Sequence, residues 1–159
     1  MQLNIFLHEL FEYNLDANKK ILNKINDLPD QQECVKFVSH LINSQYKWMA
    51  RIKGDSSQTQ MDWWNPLYSF EQLENELQKS TQPWLNYLSE KTEEELLTEV
   101  HFIGFDGSEF AATPKDIIVQ LNFHSVHHRA QIQTMIRQQG LTPDFLDYIG
   151  TRYRRLKAE

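Results

Sequence analysis

Apolar residues recur at three- and four-residue steps along most of the chain, and that spacing predicts helices. Leu3, Leu7, Leu10, Ala17, Ile21, Ile25 and Leu28 trace a first helix, ending near Leu28-Pro29-Asp30. Phe37, Leu41, Trp48 and Ile52 trace a second over residues 31–52, with Gly54 as the stop signal. A third opens on the capping-box pattern Ser69-Phe70-Glu71-Gln72 and buries Phe70, Leu73, Leu77, Trp84 and Leu88, with a kink or short break expected at Pro83. The acidic run Glu93-Glu94-Glu95 reads as a solvated face. The period then changes: Val100, Phe102 and Phe110 flank Asp106-Gly107, the signal of a type I′ hairpin. A fourth helix starts with Thr113 as N-cap, Pro114 in the first turn and Asp116 near the positive end of the dipole. Ile117, Leu121, His124, His128, Gln131 and Met135 trace one of its faces, and Gly140 ends it. Leu141-Thr142-Pro143-Asp144 predicts a short last helix carrying Phe145 and Tyr148. The expected fold class is all-α: a four-helix bundle with a small β-hairpin before the last long helix, one domain over residues 1–159.

Several polar residues fall on or beside these stripes. Asn14 and Asn18 read as buried amides bonded to neighbouring backbone. His40, next to Leu41, reads on its own as a satisfied core histidine, His8 as a surface or boundary residue, and His101 as structural or exposed. Cys34 stands at a helix start, where its pKa could fall, but a plain buried thiol is the simpler reading. The pair Trp63-Trp64 lies on a loop and either lines a pocket or plugs one end of the bundle, the second being favoured.

Composition adds mainly exclusions. A net charge of −6 gives no footprint for nucleic acid or an anionic membrane, and only the tail from Arg152 to Lys157 is locally basic. No apolar run approaches transmembrane length, and the N-terminus lacks the pattern of a signal peptide. A single cysteine excludes an internal disulfide and suits a reducing compartment, so a cytoplasmic protein is expected.

One segment stands apart. His124-Ser125-Val126-His127-His128-Arg129-Ala130-Gln131 sets three histidines within five residues. At roughly 100° per residue, His124 and His128 lie one turn apart on one face, where two imidazoles can converge on one metal ion. Gln131 continues the stripe and could orient a ligand. His127 is also within reach of His124, so spacing alone leaves open which pair would act.

Three segments in order resemble the DinB/YfiT-like superfamily, whose members include the damage-inducible DinB proteins. Tyr13-Asn14-Leu15-Asp16-Ala17-Asn18 is similar to its first-helix pattern, Ser39-His40-Leu41 through Trp48-Met49-Ala50-Arg51 to its second helix, and His124 through Gln131 to its signature H-x-x-x-H-R-G-Q. The resemblance covers nearly the whole chain. It implies a bundle holding a divalent ion on His40, His124 and His128, with His128 chosen over His127 because Arg129 follows it. His127 and Gln131 then become second-layer candidates around the ligands. The chain departs from the pattern at Asp16 (often tryptophan), His127 (often aromatic) and Ala130 (often glycine). Arg129 is expected to point off the ligand face and pair with an acidic residue.

Three neutral imidazoles leave a coordination sphere open to water or substrate. Two chemistries follow: hydrolysis by a metal-bound hydroxide, or transfer and isomerisation with a low-molecular-weight thiol bound as thiolate. Characterised relatives tilt the resemblance towards a thiol-dependent S-transferase or isomerase acting on a small molecule. Imidazole ligation suits zinc or nickel. No general base is assigned; Asp62, Gln131 and His127 are candidates. The resemblance also implies a homodimer. The rival from another class is a non-catalytic dimerising bundle whose ion is structural or absent.

Overall fold

A computed structural model describes residues 2–154. Four long helices, α1 (Leu3–Ile25), α2 (Gln32–Ile52), α3 (Phe70–Glu90) and α5 (Pro114–Gln138), are joined by a short helix α4 (Glu93–Leu97) and an antiparallel hairpin of β1 (Val100–Ile103) and β2 (Glu109–Ala112). Helices α1 and α2 each pack against both α3 and α5. No helix among the described residues is long and apolar enough to cross a membrane.

The helix boundaries follow local chemistry. The Thr113 hydroxyl accepts the Asp116 backbone N–H at 3.1 Å, opening α5 with Pro114 in its first turn. Gly140, at φ +85°, follows its end. The Gln72 side chain accepts the Ser69 N–H at 2.9 Å at the start of α3.

Other boundaries differ from expectation. Helix α1 stops at Ile25, three residues early, and continues as a tightened turn in which the Asp27 N–H reaches the Lys24 carbonyl, because Pro29 disfavours helical backbone in the residue before it. Helix α3 runs unbroken through Pro83. The acidic run is exposed as expected, but it is also the first turn of α4, built by a capping box between Thr92 and Glu95 and anchored by the fully buried Leu96. The hairpin is not type I′, which needs positive φ at two successive residues; only Gly107 has it, at +81°. The Gly107 N–H bonds to the Gly104 carbonyl and the Gly104 N–H to the Ser108 carbonyl, a type I turn followed by a glycine bulge. No helix forms over 141–147, where Pro143 withholds a donor; Tyr148–Thr151 forms one 3-10 turn.

The core has two apolar ends separated by a polar waist. Ile21, Ile25, Ile42, Leu77, Ile132 and Ile136 belong to one end, and Leu7, Phe11, Trp84, Leu88, Ile118 and Leu121 to the other. Between them every long helix turns polar side chains inward: Asn14 and Asn18 from α1, Ser44 and Gln45 from α2, Ser80 and Thr81 from α3, Asn122, Ser125 and Arg129 from α5. The three segments singled out in the sequence run through this waist.

Candidate metal centre

His40 projects from the middle of α2 and His124 and His128 from successive turns of α5. The structure brings these three together. His124 Nε2 lies 3.0 Å from His40 Nε2 and 2.9 Å from His128 Nε2. One donor atom from each residue lies within 4.8 Å of the others, so the group could hold a metal ion. Two nitrogens bonded to one zinc ion at about 2.0–2.1 Å would themselves be roughly 3 Å apart.

The far side of two rings is fixed. His40 Nδ1 lies 2.8 Å from the Trp63 carbonyl oxygen, which can only accept, so Nδ1 carries the proton and Nε2 is a bare lone pair. His128 Nδ1 meets the Gln131 side-chain oxygen at 2.6 Å, which sets the same tautomer with the amide in this orientation. His124 Nε2 therefore sits between two lone pairs and has at most one proton to offer. At least one of these contacts sets lone pair against lone pair unless a cation lies among them.

A proton is a poor candidate for that cation near neutrality. Burial lowers the pKa of all three histidines, and that of His124 falls to about 4 as the His128 and His40 rings add to the effect. The Trp63 and Gln131 hydrogen bonds oppose the shift at His40 and His128 without reversing it. An all-imidazole set of neutral nitrogens suits zinc or nickel better than magnesium or calcium, which prefer oxygen.

Aromatic rings wall the site. Trp64 stacks on His40, with centroids 3.9 Å apart and planes 12° off parallel, and Phe37 lies 5.1 Å from the His128 ring. The loop that carries Trp64 is shaped by Asp62, whose Oδ1 accepts the N–H groups of Trp64 at 2.6 Å and Asn65 at 2.8 Å. Asn43 then holds the Pro66 carbonyl at 3.1 Å, and the Ser39 hydroxyl accepts the Tyr68 N–H at 3.2 Å. Next to the imidazoles opens a cavity of about 230 Å³, lined by His40, His124, Trp48, Trp63 and Leu121 with Ser44 and Gln120.

Several expectations need correction. Trp63 and Trp64 plug no end of the bundle: one lines the cavity and the other covers a candidate ligand. Asp62 is no free base, since the turn's hydrogen bonds engage its carboxylate and hold its pKa below the usual range. His127, a second-layer candidate, is exposed, with its ring 5.0 Å from that of His128. Among the described residues, Arg129 meets no acid. It is 3% exposed, and its Nη1 donates to Asn14 Oδ1 at 2.5 Å and Asn18 Oδ1 at 2.9 Å, above the Tyr13 ring. Asn14 and Asn18 thus bond a side chain, not neighbouring backbone. Ala130 and Asp16 are exposed, so neither departure from the pattern meets a helix contact.

Other expectations hold. Cys34 is a buried thiol, its pKa raised to about 11 by burial and by Asp30 and Glu33. His101 is exposed beside Glu109, and His8 is half-buried near Glu12.

The Arg129 network was missed, although a signal existed. Ile118, Asn122, Ser125, Arg129, Ile132 and Ile136 follow one another at helical steps, and all are buried. That stripe, one residue round from the one carrying the histidines, is the deepest face of α5.

The DinB family model matches residues 1–156. Protein DinB of Bacillus subtilis (strain 168) is 22% identical over 159 residues, which span 90% of this chain and 91% of that protein.

Proposed function

The chain belongs to the DinB family, and we propose that it is a divalent-metal-dependent enzyme. Its ion, zinc or nickel, is held by Nε2 of His40, His124 and His128, and it carries out transfer or isomerisation chemistry with a low-molecular-weight thiol. The observation that carries this reading is the convergence of three imidazole nitrogens, two of them bare lone pairs, at contacts of 2.9 and 3.0 Å. An ion held there would supply Lewis acidity and lower the pKa of a coordinating thiol, whose proton would pass to solvent.

The chain's own residues do the rest. The Trp63 carbonyl and the Gln131 amide hold two rings in the tautomer that offers Nε2. Trp64 and Phe37 shield their backs from water. The approach left open is the cavity between α2, α5 and the Trp63 loop. Thiol chemistry is placed ahead of hydrolysis by the tilt of the family resemblance, since the same ion would lower the pKa of a bound water as well as of a bound thiol. The buried Cys34 supports a cytoplasmic setting. The homodimer has a candidate surface in Phe123 and Val126 on the outer face of α5, to be checked by solution mass measurement.

The test is metal analysis of purified wild type and of His40→Ala, His124→Ala, His128→Ala and the control His101→Ala, followed by a screen of small thiols against electrophilic acceptors. Near-stoichiometric zinc or nickel in wild type and control, little in the three variants, and metal-dependent thiol consumption are expected. A metal-free wild type, or equal loss in all four variants, rejects the site. Thiol-independent hydrolysis instead would replace the chemistry but leave the site.

A further inference from the structure

The cavity beside the imidazoles has its own chemistry, separable from the ion. Trp48 and Trp63 supply two adjacent indole walls, their centroids 6.1 Å apart and their planes inclined by 53°. That spacing leaves no room for a ring between them, so together they make a bent apolar surface on which one ring can lie. Leu121 adds an apolar contact, and His40 and His124 bound the side towards the metal centre.

Charge is kept out. Among the described residues, no Lys, Arg, Asp or Glu lines the cavity. Of the three cations on the same helix as His40, Lys36 pairs with Glu33 at 3.6 Å, and the two beside the indole walls are engaged elsewhere: Lys47 donates to the Met61 carbonyl at 2.5 Å, and Arg51 donates to the Ile103 carbonyl at 3.1 Å. Both also lie against the aromatic walls. Lys47 is 4.6 Å from the Trp63 centroid, and the Arg51 guanidinium is 4.5, 5.1 and 4.8 Å from Trp48, Trp63 and Phe102. These contacts brace the indoles in place rather than offering a charge to a ligand. The polar handles left are few. The Ser44 hydroxyl already donates to the His40 carbonyl at 2.8 Å, so it can only accept, and Gln120 sits exposed at the rim.

Size narrows the ligand further. A volume of about 230 Å³ lies between an apolar cavity that takes benzene, about 150 Å³, and the smallest sites for drug-sized molecules, about 300 Å³. We infer that this cavity selects an uncharged, planar, largely apolar reaction partner about the size of one aromatic ring, laid on the Trp48–Trp63 wall and facing His40 and His124. The inference rests on the metal-centre reading for the ligand's role, but not for its binding.

The probe is fluorobenzene, followed by 19F NMR on the metal-loaded full chain, with fluorocyclohexane as the non-planar control. Two variants report on the cavity: Trp63→Ala removes one wall, and Gln120→Trp fills the space from an exposed position. Fluorobenzene is expected to bind wild type about threefold to tenfold more tightly than fluorocyclohexane, the range of one aromatic contact. It should weaken by a similar factor in Trp63→Ala and be lost in Gln120→Trp, with metal stoichiometry unchanged in both. No binding to a fully metal-loaded wild type overturns the inference, as does binding that survives Gln120→Trp or fails to prefer the planar ring. If wild type takes up no metal yet binds fluorobenzene with these sensitivities, the cavity assignment stands and the metal-centre reading fails.

Discussion

On its α2 side, helix α5 buries nitrogen bases that have been made neutral; on its α1 side it buries a cation that stays charged. His124 and His128 meet His40 with lone pairs converging and pKa values pushed down by burial. One residue further round, Arg129 is held by two amide oxygens from α1 and, among the described residues, by no carboxylate. Burial lowers its pKa as well, but a guanidinium starts so high that it keeps its proton. The first arrangement could hold a cation, and its protonation depends on pH. The second supplies its own cation. A binding site and a structural brace can thus sit back to back on one helix in the same polar waist.

Removing the brace should have the largest effect. Arg129→Ala leaves the buried oxygens of Asn14 and Asn18 without a donor and opens a hole between α1 and α5, and it should lower the unfolding free energy in urea by about 2–4 kcal/mol. Arg129→Met, which fills the volume without a charge, should recover part of that loss. Saturating metal should still raise the midpoint of both variants, because the imidazoles belong to the other side. If either variant loses metal binding while folded, the two sides are not independent.

Gln131→Ala sharpens the contrast from the metal side. It frees the His128 ring to rotate and change tautomer, and it should weaken metal affinity about tenfold to a hundredfold in a chelator competition. Metal-free stability should hardly move, since Gln131 is only half-buried.

A third effect is expected on pH dependence. The three histidines have folded pKa values below their ordinary 6.5, that of His124 reaching about 4. As pH falls through 6.5 the unfolded chain takes up protons that the folded one refuses, so their contribution to stability is present above 6.5 and is lost progressively down to about pH 4. The melting midpoint of the metal-free protein should therefore drop between pH 7 and 4.5, and drop less in His124→Ala. Equal slopes in the two proteins would mean that the ring cluster does not set the response.

Much of this was legible in the sequence because it depends on local spacing. Thr113-Pro114 opens α5 where cap chemistry predicts, and Leu73, Leu77, Trp84 and Leu88 are buried as their period requires. His124, His128 and Gln131 share a face for the same reason, and the Gln131 side-chain oxygen lies 2.6 Å from His128 Nδ1. His40 was different: its own helix made it an ordinary core histidine, and only the order of motifs in a resembling family joined it to His128 and to His124, 84 positions away. What stayed hidden depends on tertiary context. A charged side chain argues for an acidic partner, so Arg129 reads as half of an ion pair until Asn14 and Asn18 are brought opposite it. The Trp63 carbonyl, a backbone atom on a loop, carries no residue-type signal, yet it sets the tautomer of His40. The hairpin turn was misassigned because Asp-Gly fits both a type I′ turn and a type I turn with a glycine bulge; the structure takes the second, with one positive φ instead of two.

The central claim is that Nε2 of His40, His124 and His128 share one cation. It is met most directly by following the 15N resonances of the six histidine rings while zinc is added to the metal-free protein. The Nε2 signals of these three should move together and stop at one equivalent, while the rings of His8, His101 and His127 stay where they were. If His40 fails to move with the other two, or if His127 moves in its place, the ion is not held as described.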